Sequence, residues 1–143
     1  MCGAIRYRVA EEPLTLYACH CTDCQRHTGG SFALSMIVRR DALAILRGEP
    51  VPYESTAEGR TRRGRFCAAC ATRLWGEPSR LPQIRVLRPG TLDDTSWIVP
   101  VAHIWTRSRQ PWVRLPEDAV AFDTQPDDPM ALVALWRERR ARS

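Results

Sequence analysis

Residues 17–30 read Tyr17-Ala18-Cys19-His20-Cys21-Thr22-Asp23-Cys24-Gln25-Arg26-His27-Thr28-Gly29-Gly30, and the three thiols in this stretch decide how the rest of the chain is read. In an extended segment side chains alternate, so Cys19 and Cys21 share a face while His20 points to the other. A short turn at Thr22-Asp23 then returns Cys24 toward the first two sulfurs. Three converging sulfurs suit a soft or borderline cation such as zinc. Buried inert cysteines are the plainer alternative, but small cores seldom crowd three thiols together. A Cys19–Cys21 disulfide would be strained.

Six cysteines stand at positions 2, 19, 21, 24, 67 and 70. Cys21-x-x-Cys24 and Cys67-x-x-Cys70 are both knuckles, and pooling them gives one four-thiolate site of the zinc-ribbon kind. Two features count against pooling. The interval from Cys24 to Cys67 is more than twice the roughly 15–20 residues that separate ribbon knuckles, and Cys2 and Cys19 are left without a task. The preferred division gives Cys2, Cys67 and Cys70 to a structural site that ties distant segments together. Cys19, Cys21 and Cys24 then form a second site with an open position, which is how catalytic zinc differs from structural zinc. Two zinc ions per chain are expected.

The chain has 143 residues, 44% hydrophobic and 26% charged, the make-up of an ordinary globular protein large enough for its own core. It is expected to form a single domain over 1–143, with its core at about 2–122. The first ten residues lack a signal peptide's apolar run and nothing approaches a membrane span, so a cytoplasmic protein without a membrane role is expected. In a reducing compartment grouped cysteines are metal ligands or catalytic groups rather than disulfides. All 21 basic residues are arginine, and neither Lys nor Asn occurs, which fits GC-rich coding. The net charge of +5 favours an anionic small substrate. A solvated basic surface is preferred over a nucleic-acid face.

Short strands are expected at Ile5–Val9, Leu14–Cys21, Phe32–Arg39, Pro52–Thr56, Thr72–Trp75, Gln83–Leu87 and Trp97–Trp105. The proline places Pro52–Thr56 at a sheet edge. Asp41–Leu46 is readable as a helical turn or a strand. Turns fall at Glu58-Gly59, Pro89-Gly90 and Asp93-Asp94. One helix is expected, at about 129–141, with Asp127-Asp128 as cap, Pro129 in its first turn and arginines at its C-terminal end. The fold is therefore expected to be mainly β with a short C-terminal helix.

The strings C-G-A-I-R-Y (2–7), C-H-C-T-D-C-Q-R-H-T-G-G (19–30), R-F-C-A-A-C (65–70), G-T-L-D-D (90–94) and H-I-W-T-R-S-R-Q-P-W (103–112) occur in this order. Together they resemble the glutathione-dependent formaldehyde-activating enzyme family, also called the centromere-protein-V domain family, from Cys2 to about Phe122. The resemblance implies a β-tent fold of small antiparallel sheets around zinc. It also implies two metal sites divided as above, with Cys19, Cys21 and Cys24 at the catalytic ion. Members usually begin C-x-C-G, with both cysteines joining the later knuckle. Only Cys2 is present here, so either the encoded start lies upstream of Met1, which is the expectation, or the fourth ligand is supplied otherwise.

A zinc ion with three thiolates is a weak Lewis acid and suits a soft ligand better than water activation. It would hold a substrate thiol in its nucleophilic form. The expected activity is that of a carbon–sulfur lyase or synthase acting on the adduct of a glutathione-like thiol and a small aldehyde such as formaldehyde. The alternative is an Arg-rich zinc module for nucleic acid or a protein partner, with Arg60–Arg65 as its best face. His20 is expected beside the site or at the surface, His27 at a surface with a possible part in proton transfer, and His103 in the core. Arg26 is a candidate for a substrate carboxylate, Ser31 and Phe32 for the pocket lining. The five tryptophans are expected mainly in the core.

Overall fold

The computed structural model describes residues 1–57, 60–128 and 130–142. The expected Glu58-Gly59 turn and Pro129 lie outside the described residues. The fold is mainly β and the chain divides into two compact units.

The first unit takes residues 1–13 and 36–93. Strand β1 (Arg6–Val9) alternates exposed arginines with half-buried Tyr7 and Val9 and pairs antiparallel with β4 (Leu43–Arg47), so the ambiguous 41–46 segment is a strand. The sheet partners of β3 (Ala33–Arg39) in this unit follow in the order β8 (Ile84–Leu87), β7 (Arg73–Gly76), β6 (Arg60–Phe66) and β5 (Val51–Ala57), all antiparallel. β5 is the edge, as expected, the position in a sheet that tolerates a proline such as Pro52. Met36, Val38, Leu74, Trp75 and Leu87 form the core, each at most 4% exposed.

The second unit takes residues 14–35 and 94–143. Here β2 (Thr15–Cys19) pairs in parallel with the two-residue β9 (His103–Ile104). Helix α2 (Met130–Ala141) lays Leu132 and Leu135 against the core of this pair, buries Trp136, and is capped by Asp128, whose Oδ1 accepts from Met130 N at 2.8 Å. The Thr15 hydroxyl donates to the Leu132 carbonyl at 2.7 Å and pins helix to strand.

Three expectations change. The turn after Cys21 is a seven-residue helix, α1 (Thr22–Thr28), capped by Cys21 and closed by Gly29 at φ 65°. Of the strand expected over Trp97–Trp105 only His103–Ile104 is regular strand, with Val101 and Ala102 hydrogen-bonded to Leu16 and Ala18 just before it; Pro100 interrupts the apolar run and offers no donor. Trp97 and Trp112 are 43% and 69% exposed, so only part of the tryptophan set is core; Trp75 and Trp136 are buried.

Candidate metal centre

β2 delivers Cys19 to the edge of the second unit's core, beside Ala102, Ile104 and Leu132. Hydrogen bonds from Ala18 N to Ala102 O and from His20 N to Ile104 O, both 2.9 Å, lock the register on either side of it. Cys21 then caps α1, its sulfur accepting from the Cys24 amide at 3.3 Å. Capping by a thiol folds the chain so that residues 21 and 24 stack on one helical turn, bringing Cys24 to the others. The three sulfurs lie within 4.8 Å of one another. Cys19 is buried, Cys21 and Cys24 half-buried, and none is in a disulfide.

The trio is electrostatically uneven. Hydrogen bonds from the Cys19 and Cys24 thiols, then from the Cys24 and Asp23 amides, push Cys21 down to about 2 against the effect of burial. Cys19 moves the other way, because Cys21 and Cys24 hold its proton and burial penalises its thiolate. One sulfur therefore carries charge beside a thiol that holds its proton, and three sulfurs within 4.8 Å of one another are a donor set that fits a thiophilic cation such as zinc.

The remaining cysteines gather in the first unit. Cys2 Sγ lies 3.6 Å from Cys67 Sγ, and Cys70 completes a group that again spans no more than 4.8 Å. A tight turn makes the knuckle, with Ala71 N donating to Cys67 O at 2.8 Å and Ala71 at φ 58°. The Thr72 hydroxyl, 3.1 Å from Cys70 Sγ, and the Thr72 amide hold Cys70 down to about 6, while burial pushes Cys67 up. This set also fits a metal ion. The six thiols thus divide into two threes, as the spacing argument preferred, and not into a four-thiol ribbon.

His20 is fully buried rather than at a surface. Its Nε2 is 2.9 Å from Nδ1 of His103, its ring packs on Phe32 at 5.2 Å, and among the described residues its Nδ1 has no hydrogen-bond partner. Burial first, then His103 and Arg109, lower His20 to about 4; burial and Arg109 lower His103. Both rings are neutral at pH 7, so one donates to the other. Phe32 thus packs on the His20 ring rather than among the sulfurs. Arg26 is 75% exposed and faces Asp23 at 3.9 Å.

Sequence reasoning missed an amide clamp. Gln25 Nε2 donates to the carbonyls of His20 at 2.8 Å and Ser108 at 2.9 Å. Ser108 Oγ donates to the same His20 carbonyl at 3.1 Å, and Gln110 Nε2 to Gln25 Oε1 at 3.2 Å. The clamp joins α1 to residues 105–112, the stretch whose H-I-W-T-R-S-R-Q-P-W string was legible but carried no role. Trp105 sits there at φ 59° with the Arg107 guanidinium over its ring at 5.0 Å.

A mainly β chain with two three-cysteine groups defines a class, small proteins whose grouped cysteines could hold metal ions. Residues 1–108 match the model of the glutathione-dependent formaldehyde-activating enzyme family, and the chain belongs to that family. The fold is similar to the crystal structure of a Rhodobacter sphaeroides protein, a structural-genomics target, with a TM-score of 0.52 and 19% identity over 85% of this chain and 94% of that one. No curated protein matches the chain. Among the described residues no helix is long and apolar enough to cross a membrane.

Proposed function

We propose that Cys19, Cys21 and Cys24 form the catalytic centre of a zinc-dependent carbon–sulfur lyase or synthase, working on the adduct of a glutathione-like thiol and a small aldehyde such as formaldehyde. Cys2, Cys67 and Cys70 hold a second, structural zinc ion in this reading. The observation that carries it is the separate gathering of three free thiols with two of them half-buried rather than sealed in. A centre that is only partly enclosed leaves room for a fourth, substrate ligand. Membership of the family supports the same reaction class. Six free thiols suit a reducing compartment such as the cytoplasm.

The chemistry that bound zinc supplies is the stabilisation of sulfur as thiolate. In the synthetic direction the thiol sulfur bonds to the carbonyl carbon, the carbonyl π pair moves to oxygen, and the thiol proton ends there; cleavage reverses each change. The chain's own part is positional. Capping by Cys21 and the register of β2 against β9 fix the three sulfurs. The His20–His103 hydrogen bond and the Phe32 ring fill the far side of β2. The Gln25 clamp holds the backbone of His20 between the two leading cysteines.

Exchange spectroscopy by NMR on a mixture of formaldehyde and glutathione tests the reading. Zinc-loaded protein should speed the interconversion, and Cys21→Ser should remove the effect. Equal exchange rates with and without the native protein would refute the activity.

A further inference from the structure

One face of the first unit's sheet changes character along its strands. The registers Met36↔Leu87, Val38↔Arg85, Trp75↔Leu87 and Arg65↔Trp75 put these side chains on a common face. Met36, Val38, Trp75 and Leu87 are buried in it. Toward one end the same face becomes charged through Arg40, Arg65, Arg85 and Glu77. There it opens into a cleft of about 400 Å³, with Leu43, Ile45 and Trp75 as its apolar wall. Ile45 is 49% exposed beside it.

The charges in this cleft do not balance. Glu77 Oε1 accepts from Arg65 Nε at 3.1 Å and from Trp75 Nε1 at 3.2 Å, and lies 3.5 Å from Arg85 Nε. The Arg85 side chain is only 11% exposed, and its Nη1 already donates to the carbonyls of Pro82 and Ile84. Among the described residues the Arg40 side chain has no hydrogen-bond or ion-pair partner. Two guanidinium groups therefore share the Glu77 carboxylate and Arg40 adds a third cation, while Glu49 is exposed at the rim. Arg40 is exposed, so its charge stands at the mouth of the cleft where an incoming anion can reach it. Burial holds Arg85 below the ordinary guanidinium value; Glu77 opposes it, and the charges of Arg40 and Arg65 add smaller downward effects.

We propose that this cleft binds a small oxyanion carried on an apolar body, the anion meeting Arg40, Arg65 and Arg85 and the body lying against Trp75, Leu43 and Ile45. Carboxylate and phosphate both match the planar guanidinium fork. An aromatic body gains from the Trp75 edge of the wall, and the volume is of the size that takes a small organic molecule. The site uses no cysteine and stands whether or not the catalytic reading does.

Calorimetric titration of the intact zinc-loaded chain with phenyl phosphate, phenylacetate and the neutral benzyl alcohol tests the proposal. At least one of the two anions should bind saturably, with Kd of about 1 mM or tighter. Added salt should weaken it, and benzyl alcohol should not bind. Tighter binding of phenyl phosphate assigns a phosphate ligand, and the reverse a carboxylate. Arg85→Gln risks misfolding because that side chain is nearly buried, so Arg40→Gln is the decisive variant. It should loosen the anion about tenfold, the loss of one charge-assisted bond, without moving the melting temperature. The proposal is overturned if neither anion saturates, if benzyl alcohol binds as well as the anions, or if Arg40→Gln binds like the native chain.

Discussion

A β-carbon on Gly64 would lie 2.7 Å from both Cε1 and the hydroxyl oxygen of Tyr53 and would meet the Trp75 carbonyl as well. Gly64 faces Tyr53 on one neighbouring strand and Gly76 on the other, so neither side can yield without disturbing a ladder. Gly64→Ala should cost about 1–3 kcal/mol as overpacking, measured as a lowered urea midpoint with an unchanged slope. A second residue-scale prediction concerns Glu77. Burial pushes its carboxyl up, but hydrogen bonds from Arg65 and Trp75 and the charges of Arg65 and Arg85 outweigh burial, and the net shift is downward. A depressed carboxyl contributes stability above its unfolded-state value and loses it as pH falls through the folded one. Glu77→Gln should therefore destabilise by about 1–2 kcal/mol at neutral pH and by progressively less below pH about 4. Midpoints at the two pH values check this; an equal loss at both would make the contribution one of shape rather than charge.

At the scale of elements, α1 has no buried residue of its own, and a helix of two turns is not stable by itself. Its anchors are the Cys21 cap and the Gln25 clamp. Gln25→Ala should leave the Ser108 carbonyl without that donor and raise amide hydrogen exchange across residues 105–112 by about tenfold, the effect of about 1.4 kcal/mol. Unchanged exchange there would deny the clamp its role. The same element marks where sequence reading stops. Alternating strands such as Arg6–Val9, where each residue declares its face, were legible, as was the capped C-terminal helix. The grouping of the cysteines was legible because thiols have few other uses in such numbers. Helix α1 was not, because its stabilisation comes from a thiol cap and a side chain spanning to residue 108, neither of which leaves a periodic pattern. His20 shows the same limit. Alternation gave its direction, but only the pairing of β2 with β9 brings the half-buried His103 to it.

At the scale of the whole molecule each compact unit contains one cysteine trio, and the two trios join different spans of chain. Cys19, Cys21 and Cys24 sit within one strand–helix junction whose register β9 and α2 already hold, so a metal ion there closes only a short loop. Cys2 and Cys67 are 65 positions apart, and a shared ion closes a long one, drawing the segment before β1 onto the knuckle between β6 and β7. The entropy removed from the unfolded chain grows with the length of the loop closed, and ligation free energy is folding free energy where the site does not exist in the unfolded state. The two ions are therefore expected to differ in kind. Native mass spectrometry should find two zinc ions per chain, one of which leaves early in a chelator titration. Cys21→Ser should lack that labile ion while its melting temperature falls by only a few degrees, the response to about 1 kcal/mol. Cys67→Ser should lose the resistant ion and melt at a far lower temperature or fail to fold. Equal stability losses in the two variants would mean that neither ion is primarily structural, and one ion per native chain would mean that the division of the thiols into two centres is wrong.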